Sequence, residues 1–229
     1  MALYTIGDVH LSIDKPKSMA VFGGWDNYVQ RLEANWLQLI TPEDTVVIPG
    51  DVSWGMNLEE AKADFAFLHA LPGQKLLLKG NHDYWWTTRR RMDTFLAEND
   101  FHTLRIVHND AVAVEERWAI CGSRGWFYDA EEDADKKVLL REAGRLRTSI
   151  RAAKKTGLQP VVFLHYPPVY ADQRCPEIMD VLLEEGVSDC YYGHIHSTGI
   201  RLAVQEEREG IAFHLVSADA LRFCPHRIG

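Results

Sequence analysis

The chain has no apolar run approaching the roughly 18–20 residues that span a bilayer, which argues against a helical membrane span. Its first residues, Met1 to Ile6, lack the basic stretch and cleavage-site pattern of a secretory leader. Cysteine is scarce as well. Cys121, Cys175, Cys190 and Cys224 are the only four in 229 residues, and no two stand in C-x-x-C spacing. They read as reduced, mostly buried thiols, and the expected location is the cytoplasm. Internal repeats, low-complexity tracts and linkers are also missing, so one domain over residues 1–229 is the economical reading. Excess positive charge is absent: the formal net charge is −8, which disfavours broad adhesion to nucleic acid or an anionic membrane. A phosphate-bearing substrate stays open, because bound divalent cations reverse the local field. The 46% hydrophobic and 25% charged residues that are present suit an ordinary globular protein with a sizeable core.

Short apolar or β-branched runs end at polar motifs. Leu3 to Ile6, Thr45 to Ile48, Leu76 to Leu78 and Val161 to Leu164 read as buried strands, being brief and bounded by Gly or Pro. Between the first two, Tyr28, Leu32, Trp36 and Leu39 or Ile40 recur at helical spacing, and Pro42 follows as a stop. Leu58, Ala61, Phe65 and Leu68 make a second amphipathic face closed by Pro72-Gly73, and Thr88 to Glu98 a third. The pieces Leu104 to Val107, Ala111 to Val114 and Trp118 to Cys121 suggest antiparallel hairpins. The longest helix is expected over Ala130 to Lys155, with acids at its start, bases at its end and Gly157 as its cap. A helix over Glu177 to Glu185, a strand over Cys190 to Tyr192, and a hairpin of Ile200 to Val204 with Ala212 to Val216 complete the chain.

The polar motifs at the strand ends carry the chemistry. They are Gly7-Asp8-Val9-His10, Gly50-Asp51, Gly80-Asn81-His82-Asp83, Leu164-His165 and Gly193-His194-Ile195-His196. Strand ends are where ligands collect in α/β folds, and clustered His, Asp and Asn there are costly unless something binds them. Asp8 and His10 stand two apart and can face the same way, as can His194 and His196. The total is four imidazoles (His10, His165, His194, His196), two carboxylates (Asp8, Asp51) and the amide of Asn81. Asp51 is the natural bridge between two cations. This nitrogen and oxygen set suits two divalent transition metal ions, Mn, Fe or Zn, and the lack of thiolates argues against an iron–sulfur or structural zinc site. Paired metals activate water and clamp phosphate oxygens. His82, beside Asn81 but not needed as a ligand, is then the expected general acid, with Asp83 as its orienting partner. Taken singly, each histidine is more often a satisfied structural residue; seven suitable residues at motif positions reverse that balance.

In this order the five motifs resemble those of the calcineurin-like metallophosphoesterase superfamily, and they extend from residue 8 to residue 196. The resemblance implies an α/β fold, a calcineurin-like four-layer αββα sandwich of two mixed β-sheets flanked by helices. It implies that Asp8, His10, Asp51 and His196 hold one ion, that Asp51, Asn81, His165 and His194 hold the other, and that His82 is catalytic. In similar bacterial proteins Mn commonly supports activity. The Ser/Thr protein phosphatase branch carries G-D-x-x-D-R-G, whereas this chain has Gly50-Asp51-Val52-Ser53-Trp54-Gly55. The lipid-precursor pyrophosphatase branch usually has Arg where His82 stands. Small phosphodiesters, nucleotides and phosphomonoesters remain as substrates for attack by a metal-activated hydroxide. A non-catalytic scaffold of the same fold and a DNA nuclease are the alternatives; scaffolds usually show eroded ligand sets, and nucleases carry added regions for which this chain has no room.

Trp54, Tyr84, Trp85, Trp86 and Tyr166 flank the motifs and could stack on a base or ring, although core packing explains them equally. Arg124, in Ser123-Arg124-Gly125-Trp126, could reach a phosphate. His69, His102, His108, His214 and His226 belong to no motif and read as structural, and Asp219 reads as a turn or cap residue. Specificity is expected in the loops 12–24, 54–58, 84–87, 124–130 and 167–176. Oligomeric state leaves no mark on the sequence.

Overall fold

A computed structural model describes residues 1–15, 17–19, 22–126 and 133–229, without the side chains of 133 and 134. Two sheets lie face to face. The first holds β1 (Leu3–Thr5), β2 (Thr45–Pro49), β3 (Gln74–Leu78), β4 (Leu104–Ile106) and β13 (His226–Ile228) in the order β13-β1-β2-β3-β4. Its four early strands run parallel, and β13 is antiparallel to β1. The second contains β5 (Ala111–Val114), β6 (Trp118–Ser123), β7 (Gln159–Leu164), β10 (Asp189–Tyr192), β11 (Glu207–Arg208) and β12 (Ile211–Leu215), ordered β11-β12-β10-β7-β6-β5. Parallel pairing joins β6, β7, β10 and β12, while β5 and β11 close the edges antiparallel. A small hairpin of β8 (Val169–Tyr170) and β9 (Gln173–Arg174) stands apart.

Alternation within the strands builds the layers. Val47, Leu76, Leu78, Ile120, Val161 and Phe163 meet in the core between the sheets. Their neighbours Val46, Ile48 and Leu77 face the other way, toward α1 (Tyr28–Leu39), α2 (Lys62–Ala70) and α3 (Arg89–Glu98). Ala119, Cys121, Val162 and Leu164 likewise pack under α4 (Asp133–Lys154) and α5 (Pro176–Glu184). Strands covered on both faces must be apolar throughout, which is why they read as unbroken runs. Each helix buries a single stripe: Leu32 and Trp36 on α1, Met92, Phe95 and Leu96 on α3, and Leu139, Ala143, Leu146, Ile150 and Ala153 on α4. Trp36, fully buried, also donates its indole N–H to the Pro72 carbonyl at 2.9 Å, so its roughly 2–3 kcal/mol of apolar burial leaves no polar atom unpaired. The mixed sheets with flanking helices form the calcineurin-like sandwich.

Several local expectations change. Leu104–Ile106 pairs in parallel with β3 in the first sheet, so only β5 and β6 form a hairpin there, and the chain changes sheets at residues 107–110. Residues Ser197–Leu202 form a 3₁₀ helix where a strand over Ile200 to Val204 was expected; β12 takes Glu207–Arg208 as its antiparallel partner. The proposed start of the long helix at Ala130 to Glu132, with residues 127–129 of its preceding loop, lies outside the described residues, as do Pro16, Ala20 and Val21 of the 12–24 loop. Among the described residues no helix is long and apolar enough to cross a membrane.

Candidate metal centre

The C-terminal ends of β1, β2, β3, β7, β10 and β12 open onto one edge of the sandwich, and the motifs leave the sheets there. The loops after β1 and β2 run side by side: Asp8 N–H donates to the Gly50 carbonyl at 3.0 Å and His10 N–H to the Asp51 carbonyl at 2.9 Å. Asp8, His10, Asp51 and His194 all adopt left-handed backbone, with φ of 56°, 45°, 51° and 71°. Four non-glycine residues in that region are strained and persist only where the surroundings over-determine them. Gly80 and Gly193 are needed for close approach. A Cβ on Gly80 would lie 2.1 Å from Asp51 Oδ1, and one on Gly193 would lie 2.3 Å from Asp8 Oδ2, so each motif glycine makes room for a carboxylate of another motif.

Asp8, His10, Asp51 and His165 are buried, and Asn81, His194 and His196 partly so. Asp51 Oδ2 lies 3.6 Å from both His10 Nε2 and His165 Nε2. Asp8 accepts the His194 main-chain N–H with both oxygens, at 2.9 and 3.0 Å, and its Oδ1 is 3.4 Å from His196 Nε2. Two groups of carboxylate and imidazole ligands could each hold a metal ion, Asp8 with His10 and His196 and Asp8 with Asp51 and His165, their donor atoms within 4.8 Å of one another.

The donor chemistry fits cations. His165 Nδ1 lies 3.2 Å from the Pro49 carbonyl, which can only accept, so the ring's other nitrogen presents a lone pair. That Nε2 faces Asn81 Oδ1 at 2.6 Å and His194 Nδ1 at 3.2 Å, and Asn81 Oδ1 is also 2.9 Å from His194 Nδ1. Protonating the rings is opposed: burial pushes His165 and His194 down to about 3 and His10 well below the usual imidazole value. Burial, then the charges of Asp83 and Asp8, raise the Asp51 carboxyl well above its ordinary range. His196 Nε2 is buried with no hydrogen-bond partner. The neutral imidazoles of His10, His165 and His194 and crowded carboxylates converging on one space are the state a divalent metal stabilises.

His196 differs from the other imidazoles. Burial would lower it, but Asp219 and Asp8 outweigh burial and hold it at about 10. Asp219 Oδ1 is 2.9 Å from His196 Nδ1, and the same carboxylate accepts N–H groups of Ser197 and Ala220 at 2.9 and 3.0 Å. Asp219 does cap a turn, but it also orients a candidate ligand, as second partners of metal-bound histidines commonly do. The available signal was its position just beyond β12, a strand parallel to β10.

His82 is half-buried at the mouth. Its main-chain N–H donates to Asp51 Oδ1 at 2.8 Å, and its ring lies 4.4 Å from Trp54 and 5.7 Å from His10. Burial and then the Lys17 charge lower its pKa. The expected pairing with Asp83 does not form: His82 Nδ1 is 3.4 Å from the Tyr84 hydroxyl instead. Asp83 is fully enclosed and accepts from the N–H groups of Asp51 (2.9 Å), Val52 (2.8 Å), Ser53 (3.3 Å) and Gly80 (2.7 Å) and from the Trp85 indole (2.9 Å). It pins two ligand-bearing loops together. Trp85 is 2% exposed and packs edge-on against Phe65 at 4.9 Å, a core position.

The other candidates divide. Trp54 stacks on His10 at 5.0 Å with the Lys17 ammonium 3.4 Å from its ring centre, on the open side of the cluster. Tyr166 lies 4.4 Å from the His194 ring. Arg124 turns away: its guanidinium stands over Trp126 at 4.7 Å, 3.8 Å from the buried Glu142, while its carbonyl accepts the N–H groups of His165 and Tyr166 at 3.2 and 2.9 Å. A residue one step past a strand is aimed by the local turn, which composition does not encode.

No curated protein matches the sequence. Among solved structures, a protein of unknown function from Aquifex aeolicus is 16% identical with a TM-score of 0.51, covering 99% of this chain and 95% of its own. A phosphopantetheinyl hydrolase from Mycobacterium tuberculosis is also 16% identical, with a TM-score of 0.54 and the same coverage of 99% and 95%. At such identity the likeness concerns the fold. The sequence profile of calcineurin-like phosphoesterases matches residues 1–198, a stretch containing every motif described above, and this chain belongs to that family.

Proposed function

We propose that the chain, working as one unit over residues 1–229, is a cytoplasmic metal-dependent phosphohydrolase that cleaves small phosphodiesters, nucleotides or phosphomonoesters. The observation that carries this reading is the convergence of donor atoms from Asp8, His10, Asp51, Asn81, His165, His194 and His196 on one largely buried space. Asp8, His10, Asp51 and His196 would hold one divalent ion, and Asp51, Asn81, His165 and His194 the other, of Mn, Fe or Zn. When bound, such ions acidify water and neutralise phosphate oxygens.

The chain's own residues do the rest. The His82 imidazole, tethered through its main chain to Asp51 at the mouth of the cluster, would give a proton to the leaving oxygen. Asp83 acts at one remove, fixing the loops that carry Asp51 and Asn81. Trp54 and Lys17 line the approach, where a fixed ammonium attracts a phosphate anion.

The test joins metal content to turnover. Protein supplemented with Mn²⁺ should carry about two equivalents of metal and hydrolyse bis-p-nitrophenyl phosphate or p-nitrophenyl phosphate, and Asp51→Asn should lose both properties. A metal-replete protein inert on a broad phosphoester panel overturns the reading.

A further inference from the structure

A cavity of about 970 Å³ lies outside the ligand cluster, between the turn at residues 56–59 and α3. Met56, Leu58, Tyr84 and Trp86 form its apolar walls, and a space of this size matches the sites that bury small organic ligands. Tyr84 joins the groove to the cluster, since this half-exposed lining residue has its hydroxyl 3.4 Å from His82 Nδ1. The groove therefore opens on the side of the residue assigned as acid, and the acid stands by the leaving group.

Charge distinguishes one end. Three consecutive arginines open α3, and the first is occupied: Arg89 pairs with Asp93 at 2.7 Å and Asp110 at 2.8 Å. Arg90 and Arg91 both line the groove, and among the described residues neither has a carboxylate partner. Two acids also border the space. Glu98 sits two turns further along α3 and Glu59 on the opposing turn, so the positive charge gathers at the end of α3 that follows Tyr84 to Thr87 in the chain.

We propose that this groove is the leaving-group subsite, and that it takes an organic leaving group bearing a second phosphate, which Arg90 and Arg91 receive. The inference rests on the hydrolase reading and on His82 as acid. In the reaction the oxygen of water bonds to phosphorus, the ester P–O bond breaks, and the released oxygen takes a proton from His82. One water proton replaces it, and the other stays on the phosphate product. Guanidinium suits the second phosphate because its N–H fork pairs two oxygens at once.

Adenosine 3′,5′-bisphosphate tests this against adenosine 3′-phosphate and adenosine 5′-phosphate, with phosphate release followed on Mn²⁺-loaded protein. Cleavage of either bond of the bisphosphate leaves a group carrying the other phosphate. The expected kcat/KM for the bisphosphate is about tenfold above the better monophosphate, as two charge-assisted contacts allow. In Arg90→Ala/Arg91→Ala that ratio should fall to near one, mainly through KM, and Arg90→Lys/Arg91→Lys should restore part of it. Equal rates on all three nucleotides, activity on aryl phosphoesters alone, or a ratio the double variant leaves untouched overturns the subsite and spares the hydrolase reading. Inertness toward aryl phosphoesters and nucleotides alike would instead remove the hydrolase reading itself.

Discussion

The carboxylate of Asp219 stands 2.9 Å from Nδ1 of His196, which turns the ring's other nitrogen toward Asp8 Oδ1 at 3.4 Å. The pairing selects which nitrogen is left to bind a cation. Removing it frees the ring to rotate and lowers its basicity. Asp219→Ala should therefore weaken Mn²⁺ binding about 10–100-fold by calorimetry, with Asp219→Asn in between. Unchanged affinity would leave Asp219 as a turn cap for Ser197 and Ala220 alone.

Asp83 holds the scaffold under the cluster by accepting five hydrogen bonds at full burial. In Asp83→Asn one oxygen becomes an NH₂ group facing the N–H groups of Asp51 and Gly80, donor against donor. The expected loss is about 2–4 kcal/mol in urea denaturation, with weaker metal binding alongside. A variant as stable as wild type would contradict the pinning role.

His82 should matter in proportion to how badly the leaving oxygen needs a proton. On an alkyl phosphoester, His82→Ala should lose about 10²–10⁴-fold in kcat. On a p-nitrophenyl ester, whose leaving group departs readily as an anion, the loss should be much smaller. Equal losses on both esters would point to phosphate binding rather than proton delivery.

The motif residues were legible because each follows an apolar run, and a run covered on both faces has few alternatives to a buried strand. Asp8, His10, Asp51, Asn81, His165, His194 and His196 could be chosen on that ground, and they come together in space. Pairing partners were not legible. Leu104–Ile106 reads the same whether it pairs with β3 or with Ala111–Val114, because pairing is decided by distant contacts. The direction of a side chain past a strand end was equally hidden: Trp85 and Arg124 look like Trp54 in sequence, yet one is buried against Phe65 and another turns to Glu142. Asp219 was missed because its partner lies 23 residues away across a loop.

Lys75 gives a pH test far from the cluster. It is fully buried at β3, and its ammonium donates to the carbonyls of Leu71 and of Gly73, the latter at 2.7 Å. Among the described residues no carboxylate pairs with it, and burial lowers its pKa from 10.5 to about 8. Below pH 8 the folded and unfolded chains both hold the proton, and the cost of burying the charge opposes folding. Between about pH 8 and 10.5 the folded form releases the proton while the unfolded chain keeps it, so stability rises with pH across that window. A neutral amine still donates to both carbonyls, so no hydrogen bond is lost. Lys75→Met lacks this group. The stability of wild type relative to the variant should grow by on the order of 1 kcal/mol between pH 7.5 and 9.5, read from paired urea melts. A constant difference across that range would mean that Lys75 keeps its proton in the folded protein.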